Sequence, residues 1–379
     1  MSPDNHLGVF AMIMALSGAA FLLQNTRIGS QITGTVIVIL GAIAAANIGL
    51  IPHQSPTYDF VFTFVVPILI PLFLLQADLR RVFREASRTT LAFLIASAGT
   101  VLGVLVAVSV LDLSQLANQS DTAITAKEGA IAGLFAATYI GGSVNYAALG
   151  EMTGLITDGS FFSAATAADN LFSALYLSLI ASLPALSSLA RWYPEHRMSE
   201  LVETEAPPTI SAQSLCLALS VSVILVVMSD MVAAAWTGPS TRYVVLTALT
   251  LILATAVPRI RRLTAGGFEL GIALSFSFFA SIAAGADIEA MVSKAPMLGA
   301  LVAMLLAVHL GVLLLVGKLC RLTLPELLTA SNAAILGATT APTMAAAKGW
   351  KDQVTPGVLV GVIGYALGTF VGGALFQLW

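Results

Sequence analysis

Long apolar runs alternate with short polar stretches along the whole chain. An α-helix rises about 1.5 Å per residue, so about 20 apolar residues cross the roughly 30 Å hydrocarbon layer of a bilayer. Twelve runs approach or exceed that length, at about 7 to 23, 32 to 51, 59 to 77, 89 to 111, 128 to 150, 160 to 186, 211 to 236, 243 to 257, 267 to 285, 295 to 317, 325 to 347 and 356 to 378. The pattern predicts an all-α integral membrane protein.

Composition narrows the class of protein further. Hydrophobic residues make up 58% of the 379 residues and charged residues only 10%, against roughly 25% charged residues in soluble domains. The net charge is −3 and the chain has no basic cluster of the kind that binds nucleic acid. The enzyme motifs HExxH, GxSxG and GxxxxGKS/T do not occur. We therefore expect a non-enzymatic, multi-pass protein of a bacterial inner (cytoplasmic) membrane, with the lipid bilayer as its surroundings and no nucleic-acid partner.

The two halves of the chain share short segments in the same order. Ala77-Asp78-Leu79 follows the third run and Ala286-Asp287-Ile288 follows the ninth, while residues 140–145 of the fifth run align with 336–341 of the eleventh. A polar stretch over 191–210 separates the halves and predicts a cytoplasmic linker. These matches predict an internal repeat, with a first unit over 1–190 and a second unit over 211–379.

The distribution of basic residues indicates how the runs cross the membrane. If all twelve cross, the arginine clusters at 80–88 and 259–262 fall on opposite faces, against the positive-inside rule. If the fifth and eleventh runs form re-entrant hairpins, over about 128–152 and 325–348, then 14 of the 17 lysines and arginines lie inside. The three outside are Lys127, Arg242 and Lys294. We therefore predict two inverted repeats, each with five transmembrane helices and one re-entrant hairpin, and external termini.

Both predicted hairpins carry the residues that irregular backbone at membrane depth requires. Such backbone must be packed inside protein or line a cavity, and small residues allow close packing. Freed carbonyl groups can bind a cation, and the N-termini of half-helices can bind an anion. We predict a binding site for a small polar solute at the hairpin tips. Its members are Gly141, Gly142, Ser143 and Asn145 in the first hairpin and Gly337, Thr339, Thr340 and Thr343 in the second. The alternative is a pair of kinked packing helices without a ligand.

These hairpins, together with Ala77-Asp78-Leu79-Arg80, resemble the YjcL-like family of uncharacterised integral membrane proteins over nearly the whole chain. More distantly, the organisation is similar to glutamate/sodium and 2-hydroxycarboxylate/sodium symporters, whose inverted halves each carry a glycine-rich re-entrant segment. The resemblance implies a homodimeric secondary transporter with an elevator mechanism. The symporter signature has further glycines where this chain has Val144-Asn145. The resemblance therefore does not imply a substrate.

One carboxylate lies deep inside a predicted span. Asp169 is about nine residues into the sixth run, roughly 14 Å along the helix, where an ionised side chain costs at least about 2.5 kcal/mol. Thr166 lies on the same helix face and Asn170 follows directly. Oxygen-bearing side chains suit a hard cation. We predict sodium as the coupling ion, held by Asp169, Asn170 and Thr166 with Asn145 and Thr340 of the hairpins. A structural, hydrogen-bonded Asp169 is the alternative.

These features favour sodium-coupled symport of a small polar solute, an amino acid or a carboxylate. Two alternatives stay open: a cation/proton antiporter that uses Asp169 as the exchanging carboxylate, and a non-transporting membrane scaffold or murein-regulating protein. His309, inside the tenth run, is a further ionisable candidate, although a packing role is the simpler interpretation. Asp78 and Asp287 occupy matching span ends, where helix capping is the simpler interpretation.

Overall fold

The computed structural model describes the chain except for residues 25, 27–33, 76–85, 117–123, 197–208, 238–240 and 286–287. The described part is helical and contains no strand. It includes eight helices that are long and apolar enough to cross a membrane, and two shorter apolar helices over 37–47 and 242–256. The all-α class predicted from the sequence is therefore confirmed. The repeated segments around Asp78 and Asp287, and residues 197–208 of the predicted linker, lie outside the described residues.

Seven principal helices lie in the described part of the first half. They are α1 (His6–Gln24), α2 (Gly34–Asn47), α3 (Pro56–Leu74), α4 (Ser87–Val110), α5 (Ile124–Gly141), α6 (Ser143–Thr153) and α7 (Gly159–Ser182). The start of α7 is fixed by local chemistry, because the Asp158 carboxylate accepts a hydrogen bond from the Phe161 amide at 2.9 Å.

The described part of the second half also has seven principal helices. They are α8 (Ala212–Val232), α9 (Arg242–Ala256), α10 (Gly267–Ala284), α11 (Ile288–Leu319), α12 (Leu324–Ile335), α13 (Thr340–Ala347) and α14 (Val354–Leu378). Thr323 and Glu326 form a capping box at the start of α12, and Ser211 and Ser214 form one at the start of α8.

Two helix pairs break at the predicted places. The first pair, α5 and α6, is called hairpin 1, and the second pair, α12 and α13, is called hairpin 2. The arms of hairpin 1 lie along the same stretch of α14: a Cβ on Gly372 would meet the Gly133 carbonyl of α5 at 2.6 Å and Leu149 of α6 at 3.2 Å. Thus α6 folds back beside α5. In hairpin 2, Thr329 of α12 and Pro342 of α13 likewise share contact with Gly357 of α14.

The helices pack into two groups. The flanking bundle consists of α1, α2, α3, α8, α9 and α10, and the hairpin bundle consists of α4–α7 and α11–α14. In the hairpin bundle α4 packs tightly against α11, where a Cβ on Gly103 would meet the Leu305 carbonyl at 2.6 Å. Small residues therefore allow the close helix contacts that pack membrane bundles.

Contacts of charged side chains connect neighbouring segments of the chain at the two ends of α11. At its C-terminal end the Arg88 guanidinium lies 2.6 Å from the Glu326 carboxylate, and the Lys318 ammonium lies 4.5 Å from the ring centre of Trp192. At its other end Lys294 donates to Asp158 at 3.0 Å. The ends of helices that are distant in sequence are thereby fixed side by side.

Candidate solute and cation site

The tips of the two hairpins lie close together. A Cβ on Gly142 would lie 3.9 Å from the Gly337 Cα, so the two turns are almost in contact. Gly142 has a φ of 74° and Gly337 a φ of 93°, a backbone region that glycine adopts without strain. Gly142 and Gly337 therefore lie at the breaks between the helices of each pair, and the two turns lie next to each other.

A cavity of about 410 Å³ opens beside these tips, between the hairpin bundle and the flanking bundle. From the hairpin bundle it is lined by six residues that the sequence predicts for the site. These are Gly142, Asp169, Asn170, Gly337, Thr339 and Thr340. The volume lies within the range of about 300–1,000 Å³ that is typical of small-molecule sites. Residues predicted to bind solute and residues predicted to bind the cation thus line one space.

Two helices begin at the cavity. The Gly142 turn precedes α6, and Thr339, which lines the cavity, precedes α13. The first amide groups of a helix lack partners within that helix, and the helix dipole adds a partial positive charge there. The cavity therefore combines two electropositive helix ends with the carboxylate of Asp169.

The Asp169 carboxylate is buried and incompletely paired. Its Oδ1 atom makes no well-aligned hydrogen bond among the described residues, and neither does the buried hydroxyl of Tyr139. The side chains of Tyr139 and Ser173 lie beside the carboxyl group. Ser173 is one helical turn from Asp169 on α7 and also lines the cavity. A buried carboxylate without a full set of partners is ready to accept a cation or a hydrogen-bond donor.

The two neighbouring polar side chains are partly occupied by the protein. Asn170 donates from Nδ2 to the Thr166 carbonyl at 2.8 Å. Thr340 donates its hydroxyl proton to the Asn332 Oδ1 at 2.6 Å, which ties the start of α13 to α12. Each side chain keeps an oxygen atom that can accept a hydrogen bond, and both residues line the cavity.

Several predicted site residues lie elsewhere. Asn145 is fully buried and binds α14: its amide donates to the Gly364 carbonyl at 3.1 Å, and its Oδ1 accepts from Thr369 at 2.8 Å. The Thr166 hydroxyl is 2.6 Å from the Phe162 carbonyl. Gly141 packs against Gly364. The side chains of Ser143 and Thr343 lie outside the described residues.

His309 is a packing residue, and both of its ring nitrogens lie within a chain of hydrogen bonds. Its Nδ1 lies 2.8 Å from the Thr100 hydroxyl and its Nε2 lies 2.9 Å from the Ser331 hydroxyl. The Tyr176 hydroxyl completes the chain at 2.6 Å from Ser331. The chain joins α4, α11, α12 and α7, so His309 holds one arm of hairpin 2 within its bundle.

Sequence reasoning missed the opposite wall of the cavity, which is aromatic. Phe21 and Phe276 stack with ring centres 4.3 Å apart, and Phe73 lies 5.1 Å from Phe268 and 5.3 Å from Tyr365. All five rings line the cavity. Aromatic residues in apolar runs are indistinguishable from lipid-facing ones without the tertiary arrangement. Ser173, by contrast, was detectable, because it is spaced four residues from Asp169.

Comparison with known proteins agrees with the resemblance seen in the hairpins. The chain is 36% identical over 375 residues to "Uncharacterized membrane protein YjcL" of Bacillus subtilis (strain 168), an alignment that covers 93% of this chain and 91% of that protein. A family model described as "Protein of unknown function (DUF819)" matches residues 11–378. The predicted YjcL-like relationship is confirmed. The chain therefore belongs to the DUF819 family and is a multi-pass membrane protein.

Proposed function

We propose that this protein is a secondary active transporter that carries a small polar solute across the membrane by movement of the hairpin bundle against the flanking bundle. The observation that carries the proposal is the shared cavity: both hairpin tips and the incompletely paired Asp169 line it. Broken helices at membrane depth are tolerated where they line a cavity, and their free ends bind solutes and ions.

Contacts at the helix ends support ten crossings and two re-entrant hairpins. If all twelve runs crossed, Arg88 and Arg321 would lie on opposite membrane faces, as would Lys127 and Asp158. Instead, Arg88 donates to the Arg321 carbonyl at 2.8 Å, and Lys127 lies 4.0 Å from Asp158. Eight long and two shorter apolar helices are the segments that would cross.

The packing also supports two related halves. Each helix of the first half has a counterpart seven places later, so that α3 corresponds to α10. The helix α10 packs against α1 and α2, and α3 packs against their counterparts α8 and α9. Such an exchange of partners is what a two-fold relation between halves produces. With five crossings in each half, the second half is inverted relative to the first.

The cavity at the hairpin tips is directed toward the side that the basic residues assign to the inside. It extends from the hairpin tips to Gln24 and Phe268, at the α1 end and the α10 start that the basic residues assign to the inside. On the outer side the two bundles touch: a Cβ on Gly159 would lie 2.9 Å from the Gly285 carbonyl, and Ser163 donates to the Ile282 carbonyl at 3.3 Å. Opening this outer contact would complete alternating access.

Asp169 is the group through which we propose coupling to a cation. It is the one formally charged side chain among the described residues that line the cavity. Sodium symport agrees with the oxygen atoms of Asn170 and Thr340 beside it. This same solitary carboxylate favours a second candidate, a cation/proton antiporter in which Asp169 exchanges a proton for a metal cation. A homodimer, implied by resemblance, stays a prediction.

Flux measurements on purified protein in liposomes test these proposals. We expect uptake of an amino acid or carboxylate from a labelled panel to rise with an inward sodium gradient, and Asp169→Asn to abolish it. Asp230→Asn is the matched control, because Asp230 is half-exposed and pairs with Arg242 away from the cavity. Proton efflux driven by sodium without any solute would instead establish the antiporter. If neither solute nor ions moved, transport would be rejected in favour of a scaffold.

A further inference from the structure

When Asp169 is ionised, its charge requires a positive partner that the described lining of the cavity does not provide. No lysine, arginine or histidine occurs among the described lining residues. The neighbours Tyr139 and Ser173 offer hydroxyl groups only. An ionised carboxylate in a low-dielectric site is costly unless a counter-charge balances it. For an ionised Asp169 in the occupied state, a bound ligand is the source of that counter-charge.

The surroundings of Asp169 fit an ammonium group better than a fully coordinated metal ion. Hard metal cations typically take six or more oxygen ligands. Of the five predicted ligands, Thr166 and Asn145 bond to other parts of the protein and do not line the described cavity. An ammonium group needs only about three acceptors. Asp169, Asn170 and Thr340 all line the cavity and can supply them.

The other polar feature of the cavity suits a single anionic group. The starts of α6 and α13 lie close together at the Gly142 and Gly337 turns, so the partial positive charges of two helix N-termini come near the same space. Without a cationic side chain in the described lining, a second carboxylate would have no partner there. Dicarboxylates and tricarboxylates therefore fit poorly.

The flanking-bundle side of the cavity is mostly apolar and suits an apolar part of a ligand. Phe73, Phe268 and Phe276 face the hairpin tips across the cavity, with Ile272 between them on α10. Burial of an apolar group against such rings is favourable by about 25 cal/mol per Å² of surface. The lining thus presents one negative group, one electropositive turn pair and one apolar wall.

The geometry points to a zwitterionic solute with an apolar side group, of the α-amino acid type, as the substrate class. Its ammonium group pairs with Asp169, its carboxylate lies at the Gly142 and Gly337 turns, and its side group packs against the phenylalanine wall. This inference rests on the proposed transport function and names the solute for the same cavity, but it assigns Asp169 to the solute's ammonium group in place of a metal cation. The solute itself then supplies the counter-charge of Asp169.

Binding of matched ligand trios tests this inference on the purified full-length protein. One trio is phenylalanine, 3-phenylpropionate and phenethylamine, and the other is leucine, 4-methylpentanoate and isopentylamine, each measured by calorimetry in sodium and in choline chloride. We expect at least one zwitterion to bind about 10- to 100-fold more tightly than both of its singly charged analogues, the factor that one charge-assisted hydrogen bond provides.

A variant without the negative charge shows whether Asp169 binds the ammonium group of the ligand. Asp169→Asn should reduce the affinity for the zwitterion to that of the matched acid, whereas Asp230→Asn should keep the full preference. Equal binding of acid and zwitterion by the unmodified protein would overturn the inference, as would no binding by either trio or an unchanged preference in Asp169→Asn. If an acid bound with sodium and was taken up by liposomes, the substrate class would fall while the transport proposal stood.

Discussion

At the scale of single residues, the cavity depends on two glycines that no other residue can replace without strain. Gly142 and Gly337 both have positive φ, and their turns nearly touch. A β-branched side chain would strain the backbone and occupy the space in front of the free helix ends. Both positions therefore require a residue that adopts a positive φ and leaves the space in front of the turn free.

We expect Gly142→Val and Gly337→Val to abolish uptake in liposomes. Gly49→Val is the matched control, because Gly49 has a φ of 77° but a Cβ there would meet nothing within 4 Å, so it should lose stability without losing uptake. Thr339→Ala, which removes one hydroxyl at the same tip, should weaken solute binding by only about 0.5–1.5 kcal/mol. Normal uptake by both valine variants, in folded protein, would remove the tips from the site.

A substitution of Asp169 tests whether this residue serves ligand binding or the stability of the fold. A buried carboxylate kept for binding destabilises the empty protein, so Asp169→Asn should raise the thermal unfolding temperature without ligand while removing the shift caused by ligand. The measurement is thermal unfolding with and without cations and solutes. A lower unfolding temperature for the empty variant would identify Asp169 as a structural residue.

The residues also show what the sequence can and cannot predict. Gly142, Gly337 and Asp169 were predictable, because helix breakers and a charge inside an apolar run are locally anomalous. Asn145 was assigned to the same site because it is polar and lies beside the Gly141-Gly142 turn, yet its side chain accepts a hydrogen bond from Thr369 of α14. The aromatic wall, such as Phe276, was not predictable, since apolar rings facing a cavity and rings facing lipid share one sequence pattern.

At the scale of elements, α14 holds both hairpins. Its glycines at 357 and 361 contact hairpin 2, and those at 364, 368 and 372 contact hairpin 1. Close approach of backbones without side chains explains why this helix is rich in glycine. The Asn145 side chain adds a polar connection between hairpin 1 and α14, so the two hairpins and α14 should move as one body.

Asn145 and Asn170 were predicted from the sequence to belong to one site. Substitution by alanine should therefore have different effects at the two positions. Asn145→Ala leaves the buried Gly364 carbonyl without its amide donor and should reduce the free energy of unfolding by about 1–3 kcal/mol. Asn170→Ala removes only a bond within α7 and should change stability little while weakening ligand binding. Chemical denaturation and calorimetry measure the two effects. The reverse pattern would place Asn145, not Asn170, at the ligand.

At the scale of the whole molecule, membrane topology follows from the two hairpins. In a background with Cys216 and Cys320 replaced by serine, a cysteine at Pro52 should react with an impermeant thiol reagent from outside, and one at Ser199 or Arg261 from inside. These sides follow from ten crossings and the positive-inside rule. A cysteine at Ser199 that reacts from outside would restore twelve crossings and contradict re-entrant hairpins.

Alternating access requires the hairpin bundle to move relative to the flanking bundle. The helices α14 and α9 meet across the boundary of the bundles, where a Cβ on Gly373 would lie 3.3 Å from the Val244 Cγ2 atom. This contact brings the two positions close enough for cysteines there to be tested for cross-linking. A matched pair inside the hairpin bundle is Gly99 and Val312, whose Cβ atoms would lie 3.2 Å apart.

Cross-linking between the bundles is the most direct test of the transport proposal. In the background without Cys216 and Cys320, oxidation of Val244→Cys with Gly373→Cys should stop uptake in liposomes, and reduction should restore it. Oxidation of Gly99→Cys with Val312→Cys should leave uptake unchanged, because that bond lies within one moving body. Undiminished uptake by protein fully cross-linked between Val244→Cys and Gly373→Cys would contradict movement of one bundle against the other.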